Sequence, residues 1–224
     1  MPWPMVHFGI AEKLYKGQPS PSFLLGSIAP DAIHVRGQVT RAEKGATHFV
    51  TGDRFPSVEQ LKYHCLHHLS HVSETEQADF VRGYIAHVYA DMRWTETIYA
   101  RFEQDFNNEG HKQSRGIRDV YNEEMSQTEF TLLRTQTWAG ELLNMLRESS
   151  VNGLEPLVSE HEVCRYRELK LDWLNEPDNE PCIEPLYFSV EAVLAFIVQT
   201  ADELQQLFLE WNAIEAELRG VRML

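Results

Sequence analysis

Cysteine is scarce in this 224-residue chain: Cys65, Cys164 and Cys182 are odd in number and form no Cys-x-x-Cys pair. That speaks against a disulfide framework and suits reduced thiols in a cytoplasm. Long apolar runs are also missing. The longest, Ala192 to Val198, falls far short of the roughly 20 residues that span a bilayer. The opening MPWPMVHFGIAEKL has neither a basic start nor a long apolar stretch, so no secretory leader is expected. Positive charge is in deficit, with 20 Lys and Arg against 34 Asp and Glu and a net charge of −14. Such a chain is poorly placed to neutralise a nucleic-acid backbone, which excludes a nucleic-acid scaffold role. It would also be repelled by anionic lipid, and it has no basic amphipathic helix, so no stable membrane association is expected. Alternating apolar and polar residues, internal repeats and low-complexity segments are absent as well, which leaves an all-α class.

What is present is an ordinary globular composition, 43% hydrophobic and 24% charged, long enough for one sizeable core. Met1 to Pro4 reads as an extended lead-in and Val6 to Tyr15 as a short helix. Ser22 to Ile33 reads as a helix ending at Ala29, with Asp31 at a tight turn after Pro30. His34 to Thr47 reads as a loop. Ser57 and Gln60 form a capping box for a helix from Val58 to about Val72. Asp105 to Gly116 is expected as a surface loop that holds His111. Further helices are expected over Ile117 to about Arg134, Thr137 to Glu148, Leu154 to Leu174 and Phe188 to Leu218. Leu157, Val163, Tyr166, Leu169 and Trp173 are core candidates, and the Pro-rich Asn175 to Pro185 is a linker or exposed loop.

The stretch that organises the chain is Phe80 to Phe102, read as one long helix. His87 and Asp91 stand one turn apart on one face, and Gly83, one turn earlier, leaves that face open to a ligand. An imidazole and a carboxylate so placed can close on one divalent metal at roughly 2.0 to 2.2 Å. The same pair would also serve as an ordinary surface contact.

Three other polar residues interrupt apolar surroundings: His7 in MVHFGIA, Asp31 in SIAPDAI and His48 in ATHFV. With His87 and Asp91 they make a set of His and Asp only. Such a set suits Zn²⁺, with Mn²⁺ or Fe²⁺ as alternatives, and His7 allows a second ion to share Asp91. Two metals would suit in-line attack on a phosphate ester. The run YHCLHHLSH, with His64, His67, His68 and His71, offers metal spacing too, but reads more simply as half-exposed histidines on an amphipathic helix. His34 follows Asp31 closely enough to sit at the rim of a site and contact substrate.

These motifs resemble the zinc-dependent phospholipase C family, an all-α fold shared with some zinc nucleases, and within it a small cytoplasmic bacterial branch of metal-dependent hydrolases. The likeness rests on WPMVHFGIA at Trp3 to Ala11, GSIAPDA at Gly26 to Ala32, THF at Thr47 to Phe49 and GYIAHVYADMRW at Gly83 to Trp94. DVYNEE at Asp119 to Glu124 matches more loosely. The resemblance implies a multi-helix single domain over 1–224, with the metal-site half at about 1–125 and a helical half at about 126–224. It implies Asp31, His48, His87 and Asp91 as a central tetrad, with His7 on a second metal. Asp119, with Glu123 or Asn122 one turn on, would be the downstream ligands or substrate contacts, and Asp31 would act as base toward water. Trp3 is internal, so the terminal-amine ligand of secreted members is not expected, and no later histidine ligands are evident. One or two ions, most simply zinc, are therefore expected. The implied function is a cytoplasmic metal-dependent hydrolase of small phosphorylated substrates. The alternative is a non-catalytic binding or scaffold protein with a structural or degenerate site. The terminal helix, with Leu204, Leu207, Phe208 and Trp211 on one side, offers either core or a homodimer face.

Overall fold

Hydroxyls and prolines set where most of the helices begin. Ser20 accepts from the Phe23 N–H and Pro21 occupies the first turn, which starts α2 (Pro21–Gly26) after α1 (Pro4–Leu14). Reciprocal capping boxes, Thr40 with Glu43, Ser57 with Gln60 and Ser159 with Glu162, start α3 (Arg41–Thr47), α4 (Val58–Leu69) and α9 (Glu160–Asn175). The remaining helices are α5 (Thr75–Trp94), α6 (Ala100–Asn108), α7 (Ile117–Thr135), α8 (Ala139–Glu148) and α10 (Val190–Val221). The computed structural model describes residues 2–108, 115–150 and 152–221, the last four as backbone only. Among these residues there are no strands, only two isolated bridges, so the all-α class holds. No described helix is long and apolar enough to cross a membrane.

Several boundaries differ from the sequence reading, each for a local reason. The stretch read as a loop from His34 to Thr47 is partly helical. A 3₁₀ segment, Ala29–Arg36, carries Asp31, and α3 follows behind its capping box. The central helix starts at Thr75 and does not run straight to Phe102. It passes through a π turn at Thr95–Tyr99, just beyond Asp91. There the Thr95 and Thr97 hydroxyls donate back to the carbonyls of Asp91 and Arg93, at 2.8 and 2.6 Å. The helix expected from Leu154 begins only at Glu160, because Pro156 interrupts it and Ser159 supplies the cap. Leu169 points out at 42% exposure instead of into the core. His111 lies outside the described residues.

One contiguous core runs from Met5 to Trp211 and joins the two halves expected from sequence. Helix α5 is its axis, buried nearly all round from Phe80 to Trp94. Helix α1 is buried from Pro4 to Ala11 and packs on α10, whose Leu204, Phe208 and Trp211 point into this chain's own core. Helix α2 crosses α5 most closely of all. A Cβ added at Gly83 would come within 2.2 Å of the Phe23 carbonyl oxygen, and one at Gly26 within 2.1 Å of the Phe80 carbonyl oxygen. Gly83 therefore opens α5 to the backbone of α2, not to a ligand. That contact brings the end of α2 beside His87.

Candidate metal centre

Five polar side chains from four parts of the chain meet at the middle of α5. His87 and Asp91 come from α5 itself, His7 from α1, Asp31 from the 3₁₀ segment and His48 from the C-cap of α3. His7, His48, His87 and Asp91 are buried. The Asp31 side chain keeps 16% exposure and forms the accessible edge. The Nε2 atoms of His48 and His87 stand 3.3 Å apart, and each faces Asp91 Oδ2, at 3.3 and 3.5 Å. His7 Nε2 faces the other Asp91 oxygen, Oδ1, at 3.6 Å, and His48 Nε2 lies 3.6 Å from Asp31 Oδ1. The rings of His7 and His87 stack at 4.2 Å.

The ring nitrogens that face away from this point are tied down. His87 Nδ1 donates to the Ser27 carbonyl at 2.8 Å. His48 Nδ1 faces the Lys44 carbonyl at 3.0 Å and the Thr47 hydroxyl at 2.9 Å. With its Nδ1–H donated outward, an imidazole keeps its Nε2 lone pair for the centre. Tyr84 adds an outer brace, its hydroxyl donating to the Thr47 carbonyl at 2.6 Å.

The inner atoms are the reverse: close together and unsatisfied. His7 Nε2, Asp31 Oδ1 and both Asp91 oxygens are buried without a hydrogen-bond partner. Leaving such a group unpaired costs about 1–3 kcal/mol, so four in one cluster call for a shared partner. Donor atoms on a tetrahedral ion with bonds of roughly 2.0–2.2 Å stand about 3.3–3.6 Å apart. The four Nε2-to-carboxylate separations and the one between imidazoles cover that range. Two overlapping groups could each hold an ion: His7 with His87 and Asp91, and Asp31 with His48 and His87. Asp91 turns one oxygen toward each side.

Electrostatics in the cluster follow from burial and mutual contact. Burial, reinforced by the neighbouring His87, pushes His7 down to about 3, so its imidazole is neutral at pH 7. Burial opposes charge on His87 as well, but Asp91, Asp31 and the Ser27 carbonyl outweigh it and raise its pKa. Burial likewise opposes charge on both carboxylates. His87 and His48 hold Asp91 well below the usual range all the same, and Lys44, His34 and the same imidazoles do so for Asp31.

Of the other expected site residues, one reaches the centre and three do not. His34 does reach the rim, with Nε2 3.6 Å from Asp31 Oδ1 and its side chain 45% exposed. Asp119 and Asn122 are exposed on α7, Glu123 pairs with Arg115, and none of the three belongs to either metal-capable group. The α4 histidines are outside both groups too. His64 stacks on Phe49 at 4.0 Å, and burial holds His68 down to about 4, as fits histidines on an amphipathic helix. No site role for Lys44, Thr47, Tyr84 or Glu129 is evident from sequence. Thr40-x-x-Glu43 is the one signal that would have turned the first two from loop into helix.

Comparison of the chain with family models, with curated proteins and with solved structures finds no match.

Proposed function

We propose that this chain is a metal-dependent hydrolase of small phosphate esters, working in the cytoplasm. It would be related to the zinc-dependent phospholipase C family through the motifs that carry its five donors. One observation supports the reading above others: two carboxylate oxygens of Asp91, one of Asp31 and one imidazole nitrogen of His7 are buried together with no hydrogen-bond partner. Three imidazoles and two carboxylates at tetrahedral spacing favour zinc over the harder cations, which take more oxygen ligands. A divalent ion bound there would supply Lewis acidity to water and to phosphoryl oxygens.

The chain's own residues then have distinct tasks. Asp31 is the donor that solvent reaches, so it orients the attacking water and accepts its proton. His34 at the rim contacts the substrate. Ser27, Lys44 and Thr47 fix the His87 and His48 rings, and Tyr84 holds the end of α3 that carries His48. The competing reading is a closed structural site. The burial of His7, His48, His87 and Asp91, with Lys44 across the remaining edge, favours it.

Elemental analysis of the purified protein, followed by aryl phosphate monoester and diester hydrolysis before and after chelation, separates these readings. The hydrolase reading expects bound zinc, turnover lost on chelation, and loss of both metal and turnover in Asp91→Asn. Turnover indifferent to chelation would falsify it. Bound zinc with no turnover of either ester selects the structural site.

A further inference from the structure

Lys44 does two separable things at the centre. Its main-chain carbonyl faces His48 Nδ1. Its ammonium stands 3.2 Å from Asp31 Oδ1 and 3.0 Å from His34 Nε2. The ammonium is close enough to Asp31 for an ion pair but is not aligned for a hydrogen bond, and Oδ1 has none. The side chain is 31% exposed. It also lines a cavity of about 220 Å³ together with Arg41, His48, Val50, Phe55 and one carboxylate, Asp53.

This position is not compatible with a nearby ion. A divalent cation bonded to Asp31 at roughly 2.0–2.2 Å would stand only a few ångströms from the ammonium. Asp31 and Asp91 together match the charge of one divalent ion, which leaves the lysine cation unmatched. Its four-carbon stem can carry it off the carboxylate and into the neighbouring cavity. Arg41 already lines that cavity, and its pairing with Asp53, at 2.9 Å, lies almost wholly in solvent and costs little to exchange. Two cations beside a cavity that ends on His48 suit a phosphoryl group, in a chain that is otherwise strongly acidic.

We propose that Lys44 is a displaceable counter-ion of the metal centre. It screens Asp31 while no ion is bound and yields the carboxylate to an arriving divalent cation. It then holds a phosphoryl oxygen of the substrate in the cavity beside Arg41 and His48. The inference rests on the hydrolase reading above and names its anion-recognition residue.

Lys44→Gln and Lys44→Met remove the charge and keep the main-chain carbonyl that orients His48. Calorimetry with two probes tests them: Zn²⁺ titrated into metal-free protein, and inorganic phosphate titrated into zinc-loaded protein. Zinc should bind about tenfold more tightly to both variants, and phosphate about tenfold more weakly. A purely structural role would weaken both together, so the opposite signs are the signature. Zinc binding that is unchanged or weaker in both variants overturns the proposal. So does unchanged phosphate binding, and so does absence of zinc binding in wild type and variants alike. Zinc binding confined to the variants overturns it as well, because the lysine would then block the ion and not yield to it. The hydrolase reading fails separately, if the opposed shifts are found while zinc-loaded wild type cleaves no aryl phosphate.

Discussion

Gly26 and Gly83 let α2 and α5 meet backbone to backbone, a carbonyl of the opposite helix filling the space where a Cβ on each glycine would sit. The contact is reciprocal. Gly26 makes room for the Phe80 carbonyl and Gly83 for the Phe23 carbonyl, and Phe23 and Gly83 lie four residues before Ser27 and His87 respectively. The close crossing therefore sets the distance from the Ser27 carbonyl to His87 Nδ1. Gly83→Ala should force the helices apart and cost about 3 kcal/mol. Urea unfolding measures that loss. Bound zinc should fall with it, because His87 loses the acceptor that fixes its ring. An alanine variant as stable as wild type would mean the helices can separate without strain.

Tyr84 tests the outer brace. Its buried hydroxyl donates to the Thr47 carbonyl in the last turn of α3, next to His48. Tyr84→Phe deletes one oxygen and leaves a buried carbonyl short of a donor. Stability should drop by about 1–3 kcal/mol. Zinc affinity should weaken about three- to tenfold, since partners outside the ligand shell hold the ligands in place. Competition with a fluorescent chelator reads the affinity and denaturant unfolding reads the stability. A stability loss with no change in zinc affinity would show that α3 stays in position without the brace.

The donor set was legible in the sequence because each member is a polar interruption of an apolar run. His7, Asp31, His48, His87 and Asp91 stand out for that reason, and the structure brings all five together. The fold class was legible from helical periodicity. The role of Gly83 was not, since a glycine on a helix face reads the same whether a ligand or another backbone fills the space. Lys44 was hidden in a stretch whose polarity looks like a solvated loop. Glu129 was hidden differently. In EMSQTEFTLL it is one acid among many on an amphipathic helix, and only tertiary packing buries it.

The downstream positions separate resemblance from geometry. Asp119 is exposed near the start of α7, and Glu123 is engaged with Arg115. Asp119→Ala and Glu123→Ala should each leave zinc affinity within about twofold of wild type, as expected for sites that share no partners with the ligands. Asp91→Asn should abolish tight binding. A large zinc loss in Asp119→Ala would bring α7 into the centre after all.

Metal removal has a stability consequence. An ion that binds the folded chain at 100 times its dissociation constant stabilises it by about 2.7 kcal/mol. For a domain of this size that is a rise in Tm of about 5–10 °C. Differential scanning calorimetry should show the rise on adding zinc to chelated wild type and not to Asp91→Asn. Equal shifts in both proteins would mean that zinc binds at some other site, such as the α4 histidines.

Glu129 gives the pH dependence its sign. Its side chain is fully buried, with oxygens 3.1 and 3.0 Å from the Met5 amide at the start of α1. Burial raises its pKa from 4.5 to about 8, against the opposing pull of the Met5 N–H and Lys170. The folded chain thus holds a proton that the unfolded chain has released over that whole interval. Stability from this group is complete below pH 4.5, falls as pH rises, and is lost by about pH 8, at a slope of up to about 1.4 kcal/mol per unit. Glu129→Gln keeps an acceptor for Met5 and cannot ionise, so its stability should be free of this slope. The two unfolding free energies should therefore approach each other at low pH and diverge toward pH 8, with the variant the more stable. Because α1 carries His7, the same divergence should appear in zinc affinity if ionised Glu129 loosens that helix. Parallel stability curves across the interval would mean that Glu129 has an ordinary pKa in the fold, despite having no exposed surface.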